Sequence, residues 1–291
     1  MLVRNMKVIR VFPRRTKATP TDDMAFIGGP PLPLFLPEAD EVHVSVTCTY
    51  DLAEGERLRQ AWEAYYPGKV RIGGPALDDR GEGFTPGMYL RPGYTITSRG
   101  CPNHCGFCLV PEREGRIREL RPIAIGNDVL DNNLLACSDE HISHVLAMLA
   151  ARPKAARFSG GLEAARCVPE MIDRLRSVRI SELFLAYDFP SHWRITREAI
   201  ERFRAAGLRQ RQVRCYVLAG FGEDSPEEAE ERCRQVMEAG GLPFLMLYQA
   251  ADRFIDYGRE WKLAQRKWTR PAAMLAKPRC AAAAERPGKE A

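Results

Sequence analysis

The sequence predicts an α/β protein in which the strands of a parallel sheet alternate with helices along most of the chain. Two observations predict this: short apolar runs bounded by glycine, proline and polar residues, and amphipathic segments of helical spacing between them. The predicted strands are 94–97, 128–131, 155–158, 183–187, 213–218 and 244–247. The predicted helices are 140–150, 164–177, 195–206 and 226–239. This alternation is typical of a sheet that winds either as an open sheet or as a partial barrel.

A small α/β unit is predicted before this sheet. Residues 1–40 are rich in proline, glycine and basic side chains, so we expect an irregular lead-in there. A strand, a helix and a second strand follow and predict a parallel β-α-β unit, at 42–46, 54–65 and 69–72. A glycine- and proline-rich stretch at 81–92 then marks a boundary. The expected parts of the chain are the N-terminal unit, the main sheet and a basic C-terminal tail, at 1–92, 93–250 and 251–291.

The composition is that of an ordinary globular protein with a mildly basic charge. Of the 291 residues, 45% are hydrophobic and 28% are charged, and the formal net charge is +5. No apolar run approaches the roughly 20 residues of a membrane span, and we find no secretion signal at the start. The nine cysteines are odd in number and mostly scattered, which favours a reducing compartment. We therefore expect a cytoplasmic protein without a membrane partner. The charge is compatible with a nucleic-acid partner but does not indicate one.

Three of the cysteines, Cys101, Cys105 and Cys108, follow the first strand predicted for the main sheet. Their CxxxCxxC spacing wraps thiols around a compact object, and Gly100 and Gly106 allow a close approach of the backbone. A four-iron cluster held by three thiolates keeps one iron open to another ligand. A zinc knuckle or three unrelated core cysteines are the alternatives. Zinc sites usually use CxxC-type pairs, and the sequence has no second pair.

The cysteine motif resembles the signature of the radical S-adenosylmethionine (radical SAM) superfamily, CxxxCx(aromatic)C, with Phe107 at the aromatic position. The resemblance implies a partial (β/α)6 TIM-like barrel and a [4Fe-4S] cluster on the three cysteines. It further implies that the open iron binds S-adenosylmethionine (SAM), whose reductive cleavage yields a 5′-deoxyadenosyl radical. This radical would abstract hydrogen from an unidentified substrate. An electron donor such as flavodoxin or ferredoxin would supply the electron.

The resemblance also implies that the later strand ends complete the SAM site. The expected SAM-contacting residues, besides Phe107, are Asn132, Asn133, Gly160, Gly161, Glu163, Asp188 and Gly220. The stretch 159–163 resembles the Gly-Gly-Glu element of the family, with one residue inserted and one strand late. The stretch 217–228 resembles the segment that supports adenine, and Ser225 and Glu228 within it form a capping box. Turns and helix caps are the plain structural alternative at these positions.

Residues 39–77 resemble the later half of the cobalamin-binding domain that precedes many radical SAM barrels. The Asp-x-His-x-x-Gly segment that carries the cobalt-coordinating histidine has no counterpart in this chain, so cobalamin is not expected. We expect this unit to act as a lid or a substrate platform. The remaining cysteines show no pairing, and most of them are expected to be small buried apolar residues: Cys48, Cys137, Cys167, Cys215, Cys233 and Cys280.

The leading hypothesis is a radical SAM enzyme with an unidentified substrate. The alternatives of the same class are a methylthiotransferase-like enzyme and a cobalamin-dependent radical methyltransferase. An alternative of another class is a non-catalytic iron–sulfur or zinc module that binds or senses. The regular alternation of six strands with helices argues against that module, which needs no such sheet.

Overall fold

The computed structural model describes residues 6–77, 85 and 87–275. Cys280 and the end of the expected tail lie outside these residues. The described chain forms a four-stranded sheet, a six-stranded sheet and a two-stranded antiparallel pair. All neighbouring strands in the two larger sheets run parallel. The prediction of an α/β protein with parallel sheets is therefore confirmed.

The four-stranded sheet belongs to the N-terminal part of the chain, and its strands lie in the order β2-β1-β3-β4. Its elements are β1 Val8–Phe12, β2 Ala25–Ile27, β3 Glu41–Ser45, the helix α1 Leu52–Glu63 and β4 Val70–Gly73. The sheet and α1 share an apolar core that includes Ile9, Val42, Leu58 and Trp62. The predicted β-α-β unit is thus present, with two further strands beside it.

The expectation that residues 1–40 form an irregular lead-in is wrong at two places, where β1 and β2 are regular strands. The alternation in Val8–Phe12 places Ile9 and Val11 in the core with α1, and β1 lies in the middle of the sheet. The prolines and glycines that dominate the composition of this region lie between the strands instead of inside them. A composition averaged over forty residues hides a strand of five, because a strand needs only a short apolar run.

The six-stranded sheet begins with β5 Gly93–Thr95. A small antiparallel pair follows, β6 Ser98–Arg99 with β7 Arg118–Glu119, and the short helix α2 Val110–Arg113 lies between its strands. The other five strands are β8 Gly126–Val129, β9 Ala156–Phe158, β10 Ile180–Tyr187, β11 Val213–Ala219 and β12 Leu242–Leu247. The six strands of the sheet are neighbours in chain order, with β5 and β12 at the edges.

Helices follow the strands of this sheet and cover one of its faces. They are α3 Asp139–Ala150, α4 Pro169–Leu175, α5 Trp193–Ala205, α6 Pro226–Glu238, α7 Arg259–Thr269 and α8 Pro271–Leu275. The expected basic tail therefore begins with a packed helix, because Ala264 and Trp268 of α7 are buried in the main core. Within the described ranges, none of the helices combines the length and the apolar character needed to cross a bilayer.

The face of the six-stranded sheet that points away from the helices carries a row of charged side chains. Asp128, Arg157, Glu182 and Arg214 come from four neighbouring strands, and their charges alternate in sign. Arg157 donates to Asp128 Oδ2 at 3.1 Å and to Glu182 Oε2 at 2.7 Å. Arg214 donates to Glu182 Oε1 at 2.7 Å. The alternation of side chains along a strand explains this row, since the residues next to it in sequence enter the apolar core.

Candidate functional site

The three cysteines lie in the loop between β6 and α2, beyond the carboxyl end of β5. Gly100 has a φ of +83°, and a Cβ there would lie 2.3 Å from the carbonyl oxygen of Arg116, so glycine is required before Cys101. Cys101 N donates to Gly115 O at 3.1 Å, and Cys108 N donates to Cys105 O at 2.9 Å. The main chain itself therefore holds both ends of the cysteine loop.

A buried ion pair supports the base of this loop. Arg99 Nε donates to Glu114 Oε2 at 2.8 Å, and both side chains are buried. The same oxygen of Glu114 accepts from Gly100 N at 3.2 Å. Since Arg99 and Gly100 directly precede Cys101, Glu114 ties the start of the cysteine loop to the segment that follows α2.

The thiols are partly buried, and this raises the pKa of two of them. Burial is the main cause for Cys105, and the neighbouring Asp188, Cys108 and Cys101 add to it. For Cys108 burial is again the main cause, and Cys101 and Asp188 contribute. Thiols of raised pKa carry their protons in the free protein, so a metal must displace these protons when it binds.

The described residues contain no group of three or more His, Cys, Asp or Glu side chains that is arranged to hold a metal ion. The three thiols therefore do not form a ready site for one ion such as zinc. A four-iron cluster places each thiolate on a different iron, so it does not need the sulfur atoms gathered around one point. Three thiol donors on one loop fit such a cluster, which leaves one iron without a protein ligand.

Two asparagines after β8 contact the cysteine loop. Asn132 Oδ1 accepts from Gly100 N at 3.2 Å. Asn133 Nδ2 donates to Cys101 Sγ at 3.6 Å and to Glu163 Oε2 at 2.7 Å. Asn133 Oδ1 is buried and has no hydrogen-bond partner among the residues that the structure describes. A buried acceptor without a partner next to the cysteine loop fits a site that takes a further hydrogen-bond donor.

Glu163 is ionised more readily than an ordinary glutamate. Burial favours its neutral form, but hydrogen bonds from Asn133, Arg166 and Asn103 outweigh this and lower the pKa of Glu163. Arg166 Nε donates to Glu163 Oε2 at 2.7 Å. A carboxylate held in this way keeps its negative charge near Cys101 at neutral pH.

Gly160 is required by the packing of the strand ends, and Gly161 by its left-handed backbone conformation. A Cβ on Gly160 would lie 2.1 Å from the carbonyl oxygen of Asp131, and Gly161 has a φ of +99°. The backbone after β9 therefore crosses directly against the backbone after β8. The sequence suggested glycines that let a ligand approach, whereas Gly160 lets one strand end approach another.

Asp188 follows β10 and lies beside a cavity of about 490 Å³. Burial raises the pKa of Asp188 to about 6, although His192 and Arg232 act in the opposite direction. Asp224 and Arg232 also line this cavity and form a buried ion pair of 2.7 Å.

Gly220, at the end of β11, donates its N–H to Asp224 Oδ2 at 2.9 Å. A Cβ on Gly220 would lie 2.6 Å from Tyr257 Oη, so here too glycine is required by packing.

Phe107 packs the cysteine loop against the ends of β10 and β11. Its ring centroid lies 5.7 Å from that of Phe189 and 5.9 Å from that of Phe221. Phe221 also contacts Tyr248, at 4.9 Å. The sequence reasoning missed Phe189 and Phe221, as it missed Glu114. A signal for the two phenylalanines existed, because each directly follows a predicted site residue at a strand end.

Comparison with known proteins adds no relative to this description. The chain matches no protein-family model, and no curated protein matches it significantly. The chemistry of the site has to be judged from its own residues.

Proposed function

We propose that this protein is a radical SAM enzyme whose Cys101, Cys105 and Cys108 hold a [4Fe-4S] cluster. The observation that carries the proposal is the position of the CxxxCxxC loop, directly after the first strand of a parallel sheet whose six strands are neighbours in chain order. This strand order is the order of a partial (β/α)6 TIM-like barrel, in which ligands bind at the carboxyl ends of the strands. The helices on one face and the charged row on the other agree with such a barrel.

Asn133 and Glu163 support the proposal on the side of Cys101. Together the cluster and SAM would supply a 5′-deoxyadenosyl radical that takes a hydrogen atom from a substrate. In our proposal Glu163, ionised and partly buried, accepts a hydrogen bond from the ammonium group of SAM. Asn133 Oδ1, which lacks a partner among the described residues, is positioned to accept another. A polar atom that the protein alone leaves unpaired is free to pair with an ordered water or a ligand, and in our proposal SAM is that partner.

Asp188 and the phenylalanines support it on the other side of the loop. The cavity of about 490 Å³ beside Asp188 offers space for part of a nucleotide. A carboxyl group there accepts hydrogen bonds from hydroxyl groups such as those of ribose. Phe107 of the cysteine loop packs against Phe189 and Phe221, so apolar surface adjoins the loop. Apolar surroundings of this kind favour a radical reaction, which needs water to be excluded. The reaction also needs a one-electron donor such as flavodoxin or ferredoxin.

The test is anaerobic reconstitution with iron and sulfide, followed by an iron determination and an assay for 5′-deoxyadenosine under a strong reductant. We expect about four irons per chain and cleavage of SAM. Cys105→Ala should lose both to background level. Cys233→Ala and Cys280→Ala are the control variants, and both should retain cluster and cleavage.

Two outcomes would contradict the proposal. A Cys105→Ala variant that still cleaves SAM would remove the cysteine loop from the reaction. Iron bound by the wild-type protein without any SAM cleavage would favour the non-catalytic iron–sulfur module instead.

A further inference from the structure

A cavity between the two sheets has a volume of about 580 Å³. The ends of β1, β3 and β4 form one wall, which includes Phe12, Ser45 and Gly73. The opposite wall comes from the start of the six-stranded sheet and includes Ile96 and Leu130. This volume is within the range of small-molecule sites, roughly 300 to 1,000 Å³.

The cavity lies at the carboxyl end of the four-stranded sheet and takes lining residues from both of its faces. His43 and Arg71 are register partners on β3 and β4 and line it from the face away from α1, whereas Val44 and Ile72 line it from the side of the core under α1. His43 Nδ1 lies 2.7 Å from Tyr89 Oη, which also lines the cavity. The segment before β5 therefore closes one side of the space.

Each charged side chain that lines this cavity has a partner of opposite charge or a hydrogen-bond partner on the protein. Arg14 donates to Asp51 through Nε at 3.1 Å and also through Nη2. This hydrogen bond is the main reason why the pKa of Arg14 is raised. Arg71 and His43 both contact Glu41, at 2.6 Å and 2.7 Å.

The third arginine of the lining, Arg99, belongs to the buried pair with Glu114. Three positive side chains thus meet three carboxylates, but Arg14 and Arg71 are more than half exposed, so only the pair of Arg99 and Glu114 is closed off from water. A charged ligand beside this buried pair would lose its hydration without gaining a counter-charge, which is costly. The remaining walls are largely apolar, from Phe12, Val44, Ile72, Leu90, Ile96 and Leu130. The apolar walls and the buried pair therefore favour an uncharged ligand with a large apolar part.

The cavity adjoins the cysteine loop. Arg99, which lines it, stands two residues before Cys101 in the sequence. Asn132 also lines it, and its side chain binds Gly100 N. A molecule in this cavity would therefore lie beside the start of the cysteine loop.

We propose that this cavity binds an uncharged, largely apolar organic molecule, and that this molecule is the substrate of the radical reaction. The substrate role rests on the proposed function, whereas the binding site does not. The four-stranded sheet then serves as the platform that holds the substrate beside the cysteine loop.

The test uses two fluorescent probes that share one skeleton and differ in charge. N-phenyl-1-naphthylamine is neutral, and 1-anilinonaphthalene-8-sulfonate carries an added sulfonate. The full chain without a cluster is titrated with each probe, and the fluorescence gives the two Kd values. The Kd of the neutral probe should be at least about tenfold lower than the Kd of the sulfonate probe, a difference of about 1.4 kcal/mol in binding free energy. Equal affinities, or a preference for the sulfonate, would overturn the proposed ligand class.

Two kinds of variant locate the binding. Ser45→Trp should fill the cavity and lower the affinity of the neutral probe at least about tenfold. Ser143→Trp, on the exposed side of α3, should leave this affinity unchanged. Thr47→Trp provides a second filling variant if Ser45→Trp does not fold. Asp51→Asn and Glu41→Gln each leave an arginine without its carboxylate. The affinity of the sulfonate probe should therefore rise about tenfold in these variants. Unchanged probe binding in folded filling variants would place the site elsewhere and overturn the proposal.

The probe titration does not depend on the cluster, so the two proposals can fail separately. Probe binding without SAM cleavage would support the proposed binding site and contradict the proposal that its ligand is the substrate of a radical reaction. SAM cleavage without selective binding of the neutral probe would sustain the enzyme and overturn the cavity proposal.

Discussion

The two parallel sheets of this protein differ in how their strands end. At the end of the six-stranded sheet, backbone and polar side chains are closely packed: Asp131 accepts hydrogen bonds from Thr97 N at 2.6 Å and from Ser98 Oγ at 2.8 Å. Asn133 Oδ1 is left there without a partner among the described residues. At the end of the four-stranded sheet, a cavity of about 580 Å³ is lined by apolar side chains and by Arg14 and Arg71, which pair with Asp51 and Glu41.

This difference matches our two proposals. A buried polar atom without a protein partner beside the cysteine loop fits a ligand that is held by directed hydrogen bonds. A cavity with largely apolar walls fits a ligand that is held by shape and by exclusion of water. In these proposals the cofactor therefore lies at one sheet end and the substrate at the other.

Among the substitutions that test the contrast between the two sheet ends, Gly160→Ala is expected to have the largest effect, and it acts on the stability of the protein. The added methyl group would lie 2.1 Å from the carbonyl oxygen of Asp131, so the ends of β8 and β9 must move apart. We expect a loss of about 3 kcal/mol in the free energy of unfolding, measured by urea titration, at the upper end of the usual cost of overpacking.

Gly29→Ala is the matched control, because nothing lies within 4 Å of its added Cβ. It should change the free energy of unfolding little. A Gly160→Ala variant as stable as Gly29→Ala would mean that the end of the six-stranded sheet is not closely packed, and the contrast between the two ends would disappear.

The next effect is expected from Asn133→Ala, which removes both the bond to Cys101 Sγ and the unpaired Oδ1. We expect SAM cleavage by the reconstituted protein to fall about 10- to 100-fold, as is usual when a residue that supports a metal ligand is removed. Asn127→Ala is the control, since Asn127 lies within β8 and its Nδ2 donates to Lys154 O at 2.8 Å, whereas Asn133 follows the strand. Equal cleavage rates in the two variants would show that Asn133 has no part in the site.

The smallest effect is expected from His141, which supports the polar strand end from α3. Its Nε2 lies 3.1 Å from Thr97 Oγ1, and burial lowers its pKa below the ordinary value of 6.5, although Glu119 opposes this. Because the unfolded chain then takes up the proton more readily, the free energy of unfolding should fall as the pH drops below about 6.5. Melting temperatures of the wild type and of His141→Gln between pH 7 and pH 5 test this.

The variant should show the shallower dependence on pH. Glu119 faces His141, and its own pKa is lowered from 4.5, so its titration affects stability only at more acidic pH. A pH dependence as steep in His141→Gln as in the wild type would assign the acid sensitivity to other groups.

Much of the six-stranded sheet could be predicted, because each element carries its own local pattern. The predicted helix 226–239 is α6, and the predicted strand 213–218 is β11, each within one residue at either end. The capping box of Ser225 and Glu228 is present as predicted. Such features depend on residues that are close in sequence, so the sequence shows them directly.

Other features of the sites depend on residues that are distant in sequence. Asn133 meets Glu163 across thirty positions, and Arg14 meets Asp51 across thirty-seven. No local pattern indicates either pair, or that Gly160 is required by the backbone of Asp131. The strand β1 was hidden for a different reason, because the prolines and glycines around it dominate the composition.

The residues alone were enough to predict the class of fold, the alternation of strands and helices, and the cysteine motif after the first strand of the main sheet. All of these are properties of short segments, whose periodicity and turn residues act locally. The packed structure was needed to show which polar atoms remain unpaired, which charges are paired, and that a cavity lies between the two sheets. These depend on how distant segments pack against each other, because the burial and pairing of a side chain are set by neighbours that the sequence does not place beside it.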